Sequence, residues 1–294
     1  MIDLHMHTTI SDGSFRPNEV IDMAVKNGCS VISITDHDNV DAYNDYLFDY
    51  ANKCGIKIIP GVEISTKYNG IGIHVLGYNI DVNNKQLNDS LYTLRNARHK
   101  YLYDVSVKLN ELGFSLNTEE LDKIDSVTKA HIALDIINNP INKDKLIGEF
   151  GYVPTKGEFI ETIMNEGCPA YVSKDSITPS DAVLLIRNAG GKAVLAHPVC
   201  YFYEDNLSVD DILKMVTEVK FDGIETNYIY INRNNIKIND SDRWNKFAKE
   251  NNLFTTLGSD FHNIDGIHPV IGLIGENLDI YNNMIDDIIK FLNK

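Results

Sequence analysis

Cysteine is scarce in this chain. Cys29, Cys54, Cys168 and Cys200 are the only four in 294 residues, they stand far apart, and no two form a CxxC pair. That pattern gives neither a disulfide framework nor a thiolate zinc site, and the four read as reduced, mostly buried residues of a cytosolic protein. Positive charge is short as well: 27 Lys and Arg face 42 Asp and Glu, for a net charge of −15 and a pI near 4.9. A chain so acidic is not built to hold long nucleic acid on a basic surface. A small anionic substrate stays open, because bound divalent cations reverse the local sign. No apolar run reaches the roughly 18 residues that a membrane span needs. No secretory leader pattern opens the chain, so the expected location is the cytoplasm, with no membrane partner. Internal repeats and low-complexity tracts are missing too. Nothing in the sequence speaks to oligomeric state.

What is present is a soluble globular composition, 43% hydrophobic and 23% charged, with ample core for one large α/β barrel or two ordinary domains. The opening stretch organises the rest. Asp3-Leu4-His5-Met6-His7 is followed by Ser11-Asp12-Gly13. In a β-strand, residues two apart share a face, so His5 and His7 project together, as neutral imidazoles suited to one metal ion. Asp12, in the following turn, is placed to add a carboxylate. Alone, two histidines near a terminus would be ordinary polar residues. They are not alone.

Strand and helix signals alternate along the chain. Ile2–His5 reads as a strand, and a helix beginning near Phe15–Glu19 buries Val20, Ile21, Ala24 and Val25 before Gly28 stops it. Cys29–Ile34 is a β-branched strand that ends in Thr35-Asp36-His37-Asp38. A helix with Tyr43, Leu47, Tyr50 and Ala51 on one face follows, closed by Gly55. Lys57–Ile64 and Ile71–Tyr78 read as the third and fourth strands. This alternation predicts βα units and a parallel sheet. From Asn83 to Gly167 the rhythm breaks into a long helix to about Gly113 and shorter helical pieces at 118–124, 129–137 and 155–165. The later part, 100–167, reads as a helical insertion suited to capping a barrel mouth, and 1–99 with 168–294 as the barrel itself. The rhythm resumes at Thr178-Pro179-Ser180-Asp181, a helix start. Strands then end at Ala196-His197-Pro198, near Glu225-Thr226-Asn227, and at Ser259-Asp260-Phe261-His262, with helices between them and a last helix over Tyr281–Leu292.

Metal-competent residues fall where these strands end: His5 and His7, His37, Glu63, His197, and the Asp260/His262 pair, with His74 inside the fourth strand. In a parallel α/β barrel such ends share one face, and that face carries the active site. One histidine at a strand end is usually structural, but six of the nine in the chain lie at or beside one. Of the others, His99, His131 and His268, only His131 attracts attention. Imidazoles and carboxylates without thiolate suit Mn²⁺, Fe²⁺ or Zn²⁺. Six histidines with Asp12, Glu63 and Asp260 exceed what one ion needs, so two or three divalent ions are expected. Phosphoester hydrolysis is the chemistry such a site serves best.

Taken in order, these motifs resemble the series of the PHP (polymerase and histidinol phosphatase) family, and the match runs from residue 1 to about 265. The pattern is most similar to stand-alone bacterial PHP phosphoesterases with a small helical insertion, some acting on 3′,5′-nucleoside bisphosphates and some trimming short RNA from its 5′ end. The resemblance implies a distorted (β/α)₇ barrel and a trinuclear metal centre. It assigns His5, His7, Glu63 and Asp260 to one ion, Asp12, His37 and His262 to a second, and Glu63, His74 and His197 to a third. We assign Glu63, Asp260 and His197 as the catalytic residues. Where relatives often carry Gly-Arg-Pro-His-Ile-Ala, this chain has Thr128-Lys129-Ala130-His131-Ile132-Ala133. Lys129 keeps the positive charge of the arginine but loses its bidentate fork. Lys129, His131 and Lys174 are the candidate contacts to the substrate phosphate, with ordinary surface charge as the plain alternative for the lysines. Asp36 and Asp38 read as orienters or caps, and Asp3 and Glu225 as orienters. The expected function is a metal-dependent phosphoesterase acting on a small nucleotide. Histidinol-phosphate phosphatase is the enzyme alternative, an amidohydrolase is disfavoured by the early Thr35–Asp38 motif, and a non-catalytic metal-binding regulatory module is the alternative of another class.

Overall fold

The computed structural model describes residues 1–232, 235–274 and 287–292. In chain order its strands are β1 (Ile2–Asp3), β2 (Val31–Ile32), β3 (Lys57–Ile58), β4 (Gly61–Tyr68), β5 (Ile71–Tyr78), β6 (Lys192–Leu195), β7 (Gly223–Asn227), β8 (Ile229–Ile231), β9 (Lys237–Asn239) and β10 (Phe254–Leu257). The first three form a parallel sheet in the order β1-β2-β3, and five more form a sheet in the order β10-β7-β6-β5-β4. β8 and β9 make a small hairpin of their own.

The expectation of a parallel sheet fails at β5, which runs antiparallel to both β4 and β6. Tyr68 pairs with Ile71, so Asn69-Gly70 is a two-residue loop with φ of 49° and 92°. Both values are positive, as the tight hairpin turn that suits Asn-Gly demands. The reversal puts His74 opposite Ser65, in the middle of a strand. The expected third strand also divides. β3 pairs with β2, whereas β4 belongs to the other sheet, and the break falls at Pro60, which has no N–H for a ladder.

Helices follow their signals closely. Pro17–Lys26, Pro179–Asn188, Val209–Val219 and Ser241–Glu250 each turn an apolar stripe inward, although Val25, expected on the buried stripe of the first, is exposed at its edge. Tyr43 lies before the helix Asp45–Lys53 and serves a different purpose. Its buried hydroxyl donates to the Ile34 carbonyl at 2.5 Å, lies 3.1 Å from the Ile59 carbonyl and accepts from the Gly61 N–H, tying the segment after β2 to the start of β4. Pro198–Tyr203, a short helix, and the β8–β9 hairpin were not anticipated. Of the last expected helix, 287–292 is helical, and its first part, 281–286, lies outside the described residues.

Two compact units emerge, Met1–Leu91 with Ser176–Lys294, and Tyr92–Asp175. In the first, Ile2, Leu4, Val31, Leu76, Val194 and Leu257 pack in one buried cluster. Two bridges connect its sheets: Met6 with Phe261, and His37 with Glu63. In addition, Leu4 N–H donates to the Leu257 carbonyl at 3.1 Å. The regular elements of the second unit are all helices, packed around Leu102, Leu109, Phe114, Ile132, Leu146 and Phe159. They include a helix not foreseen, Lys143–Phe150, ended by Gly151 at φ 81°. All four cysteines are free, though only Cys29 is fully buried and the other three are half-buried. No helix among the described residues is long and apolar enough to cross a membrane.

Candidate metal centre

Alternation beyond β1 sends Leu4 and Met6 into the core and His5 and His7 to the other side, where both are fully buried. Their Nε2 atoms meet Glu63 and Asp260. Glu63 Oε2 lies 3.4 Å from His5, 3.2 Å from His7 and 3.1 Å from His37, while its Oε1 lies 3.0 Å from His74 and 3.1 Å from His197. Asp260 Oδ1 is 3.3 Å from His5 Nε2 and 3.1 Å from His7 Nε2. Asp12 Oδ1 lies 3.2 Å from His262 Nε2, and its Oδ2 lies 3.8 Å from His37 Nε2. All nine sequence-predicted donors therefore converge on one place, with Glu63 at its middle.

Donor atoms within 4.8 Å of one another form three overlapping groups: His7, Asp12, His37 and His262; His5, His7, Glu63 and Asp260; and His37, Glu63 and His74. The residues fit divalent metal. His5 Nε2, His7 Nε2, His37 Nδ1 and Glu63 Oε2 are buried and make no hydrogen bond, a costly state for polar atoms unless something else satisfies them. Bonds of about 2.1 Å at tetrahedral to octahedral angles put neighbouring ligands about 3.0 to 3.4 Å apart, the spacing seen here.

The electrostatics also call for cations. Burial would raise Asp12, Glu63 and Asp260, yet the imidazoles facing each hold it well below the usual carboxylate range. Burial pushes His37 down to about 3, which keeps its ring in the neutral, ligating form. Burial also opposes charge on His7, but Asp260 and Glu63 beside it lift it to about 10. The carboxylates thus draw protons onto imidazoles in the place where a metal ion would sit.

Residues behind the donors fix their orientation. Glu225 accepts from His5 Nδ1 at 3.1 Å, leaving Nε2 for the cluster, and also accepts the His197 N–H at 2.8 Å. His262 Nδ1 is turned to the Asp260 carbonyl at 2.8 Å. Asp36 accepts from Thr8 N–H, Thr8 Oγ1 and Ser11 Oγ at 2.6 to 2.8 Å, clamping the turn that carries Asp12. Asp38 receives Ser65 N–H, and Asp3 receives the N–H groups of Ser259 and Gly272. His197, Asp260 and Asp38 have φ of 25°, 51° and 50°, strained backbone of the kind that collects at functional sites. Gly258 is required by close approach: a Cβ there would lie 2.1 Å from His5 Cβ and 2.7 Å from Glu225 Oε1.

Sequence reasoning missed Tyr201 and Tyr228. Tyr201 Oη accepts the His74 N–H at 2.8 Å, and Tyr228 O–H donates to Asp260 Oδ2 at 3.1 Å. Neither sits in a motif that marks it.

The PHP domain family model matches residues 3–292. The chain belongs to the PHP domain family. Among proteins similar to this PHP domain is a 5′-3′ exoribonuclease of Haemophilus influenzae, 29% identical over 294 residues that cover 98% of each chain. A 3′,5′-nucleoside bisphosphate phosphatase of Chromobacterium violaceum is 27% identical over 265 residues, 89% of this chain and 87% of that one. A solved structure of an amidohydrolase from Chromobacterium violaceum, with bound sulfate and no metal, superposes with a TM-score of 0.74 at 25% identity, covering 96% of this chain and 95% of that one.

The three phosphate candidates of this PHP protein lie in the unit Tyr92–Asp175. His131 Nδ1 accepts the Thr128 N–H at 3.1 Å while Thr128 caps the helix Lys129–Asn138, a reciprocal capping box. Lys129 Nζ donates to Asn165 Oδ1 at 2.9 Å. Lys174 is half-buried in the segment after Val172.

Proposed function

We propose that this chain is a metal-dependent phosphoesterase that removes a phosphate from a small nucleotide, with a 3′,5′-nucleoside bisphosphate as its substrate. The observation that carries the reading is the clustering of nine His, Asp and Glu donors, five of whose imidazoles reach Glu63, with buried donor atoms that no hydrogen bond satisfies. Two or three ions, Mn²⁺ first and Fe²⁺ or Zn²⁺ after it, are assigned to the site. His5, His7, Glu63 and Asp260 would hold one, Asp12, His37 and His262 another, and Glu63 with His74 and His197 a third. Such ions supply Lewis acidity toward an attacking water and the oxygens of a phosphate ester.

The chain's own residues do the rest. Glu63, Asp260 and His197 act at the reacting centre, and Glu63 keeps five imidazoles in register. The floor, His5 and His7, is closed to solvent, whereas His74, His262 and Asp260 are 33%, 26% and 19% exposed. We place the entry for the phosphate on that open side. The phosphate roles of Lys129, His131 and Lys174 belong to the same reading and rest on the family resemblance. So does closure of the barrel. The order β4-β5-β6-β7-β10 would continue through β1 and β2 and return to β4 by way of the two bridges, giving seven strands.

The test is phosphate release from adenosine 3′,5′-bisphosphate by purified protein with added Mn²⁺, beside histidinol phosphate and a short 5′-phosphorylated RNA. Turnover of the bisphosphate, abolished in Glu63→Gln, supports the reading. Faster release of mononucleotides from the RNA would favour the second reading, 5′-3′ exoribonuclease, which the Haemophilus relative supports. Turnover of histidinol phosphate alone would move the substrate to an amino alcohol phosphate. Silence on all three with metal bound would leave a non-catalytic metal-binding module.

A further inference from the structure

Strand β7 carries an irregularity beside the metal centre. In its ladder with β10, Thr256 pairs with Glu225 but Leu257 pairs with Asn227, so Thr226 is an extra residue. In an unbroken strand, Glu225 and Tyr228 are three apart and would face opposite sides. A bulge adds one residue to one strand and re-aims the side chains beyond it, which returns Tyr228 to the face of Glu225. The contacts agree. Glu225 holds His5 Nδ1 and the His197 N–H. The Tyr228 ring lies 5.6 Å from the His197 ring, and its hydroxyl reaches Asp260 Oδ2 at 3.1 Å.

Asp260 is the most exposed of the three carboxylate donors. It stands outside regular structure at φ 51°, and its side chain is 19% exposed, against 1% for Glu63. Its two oxygens have separate partners: Oδ1 faces His5 and His7, and Oδ2 faces Tyr228. A carboxylate free to turn about its last bond could offer either oxygen or both to a cation. We infer that Tyr228, aimed by the bulge at Thr226, is a positioning residue that occupies Asp260 Oδ2 and leaves Oδ1 alone to face the ion shared with His5, His7 and Glu63. This rests on the metal-site reading above.

The experiment is a Mn²⁺ titration of the metal-free full chain and of Tyr228→Phe, read by calorimetry and by the electron paramagnetic resonance of free Mn²⁺, with melting curves of both metal-free proteins. The phenylalanine keeps the ring on His197 and removes only the hydroxyl. Expected is a loss of about 10- to 100-fold in affinity at one class of site, as partners behind a ligand commonly show, with the metal-free melting temperature unchanged. Affinity within twofold of wild type would overturn the inference. So would a loss accompanied by a lower melting temperature of the metal-free variant, because the hydroxyl would then be a packing element. If the wild-type chain itself takes up no divalent metal, the metal-site reading falls and this one falls with it.

Discussion

At the scale of single residues, Glu63 decides most. Both its oxygens are surrounded by imidazole nitrogens, five in all within 3.4 Å, and its side chain is 1% exposed. Glu63→Gln keeps the shape but removes the charge and turns an amide donor toward the lone pairs it faced. Since residues merely behind a ligand are worth about 10- to 100-fold in metal affinity or activity, this substitution should cost at least about a hundredfold in both. Metal content of the purified variant and its phosphate release check that together. Glu225→Gln should fall inside the 10- to 100-fold band, because one neutral carbonyl oxygen replaces two charged oxygens that serve His5 Nδ1 and the His197 N–H. A Mn²⁺ affinity equal to wild type would refute that role. The ligand residues were legible in the sequence because they occur in short runs such as His5-Met6-His7 and Asp260-Phe261-His262. Tyr228 was not, since its place depends on a one-residue bulge that no residue type announces.

At the scale of elements, the β4–β5 hairpin brings Glu63 and His74 together, and two glycines separate its stability from the integrity of the site. Gly70 has φ 92° and open space around it. Alanine there has no clash to relieve, only backbone strain of about 1–2 kcal/mol. Gly70→Ala should therefore lower stability by about that much in urea unfolding and leave metal affinity unchanged. Gly258 differs, because its missing Cβ is the space that His5 and Glu225 occupy. Gly258→Ala should cost about 1–3 kcal/mol as overpacking and should also displace His5, so metal binding weakens as well. Equal behaviour of the two variants in a metal titration would contradict the argument. The element reading of the sequence went astray at this same hairpin. Asn69-Gly70 is a strong turn signal, but alternation of strand and helix elsewhere suggested parallel strands throughout. Pro60 likewise marked a break that the β-branched residues around it concealed. Strand ends, by contrast, were legible even where the strands themselves are only two residues long.

At the scale of the whole molecule, the net charge of −15 and the buried carboxylates point the same way. Asp12, Glu63 and Asp260 share one pocket of donors with Asp36 and Glu225 packed behind them, so the fold gathers negative charge that the unfolded chain would leave dispersed in water. The boundary of the helical unit was hard to read at this scale, because it falls inside one continuous helix, Lys85–Glu111, between Leu91 and Tyr92. No glycine, proline or change of period marks the point where packing passes from one core to the other. The gathering of charge has a thermodynamic consequence. A cation that binds the assembled donors and not the dispersed ones stabilises the fold by about 2.7 kcal/mol per site at a hundred times its dissociation constant. For a chain of this size that amounts to a rise of roughly 4 °C in melting temperature for one site. Chelator-treated protein should therefore melt lower than protein given Mn²⁺, and Glu63→Gln should show little of the difference. Because ligands must be deprotonated to bind, and His7 in the metal-free protein holds its proton up to about 10, the stabilisation should shrink as pH falls below about 10. Melting curves with chelator and with Mn²⁺, taken at several pH values, measure it. A wild-type curve indifferent to both additives at neutral pH would mean that protons on His5 and His7, and not metal, balance the charge of this centre.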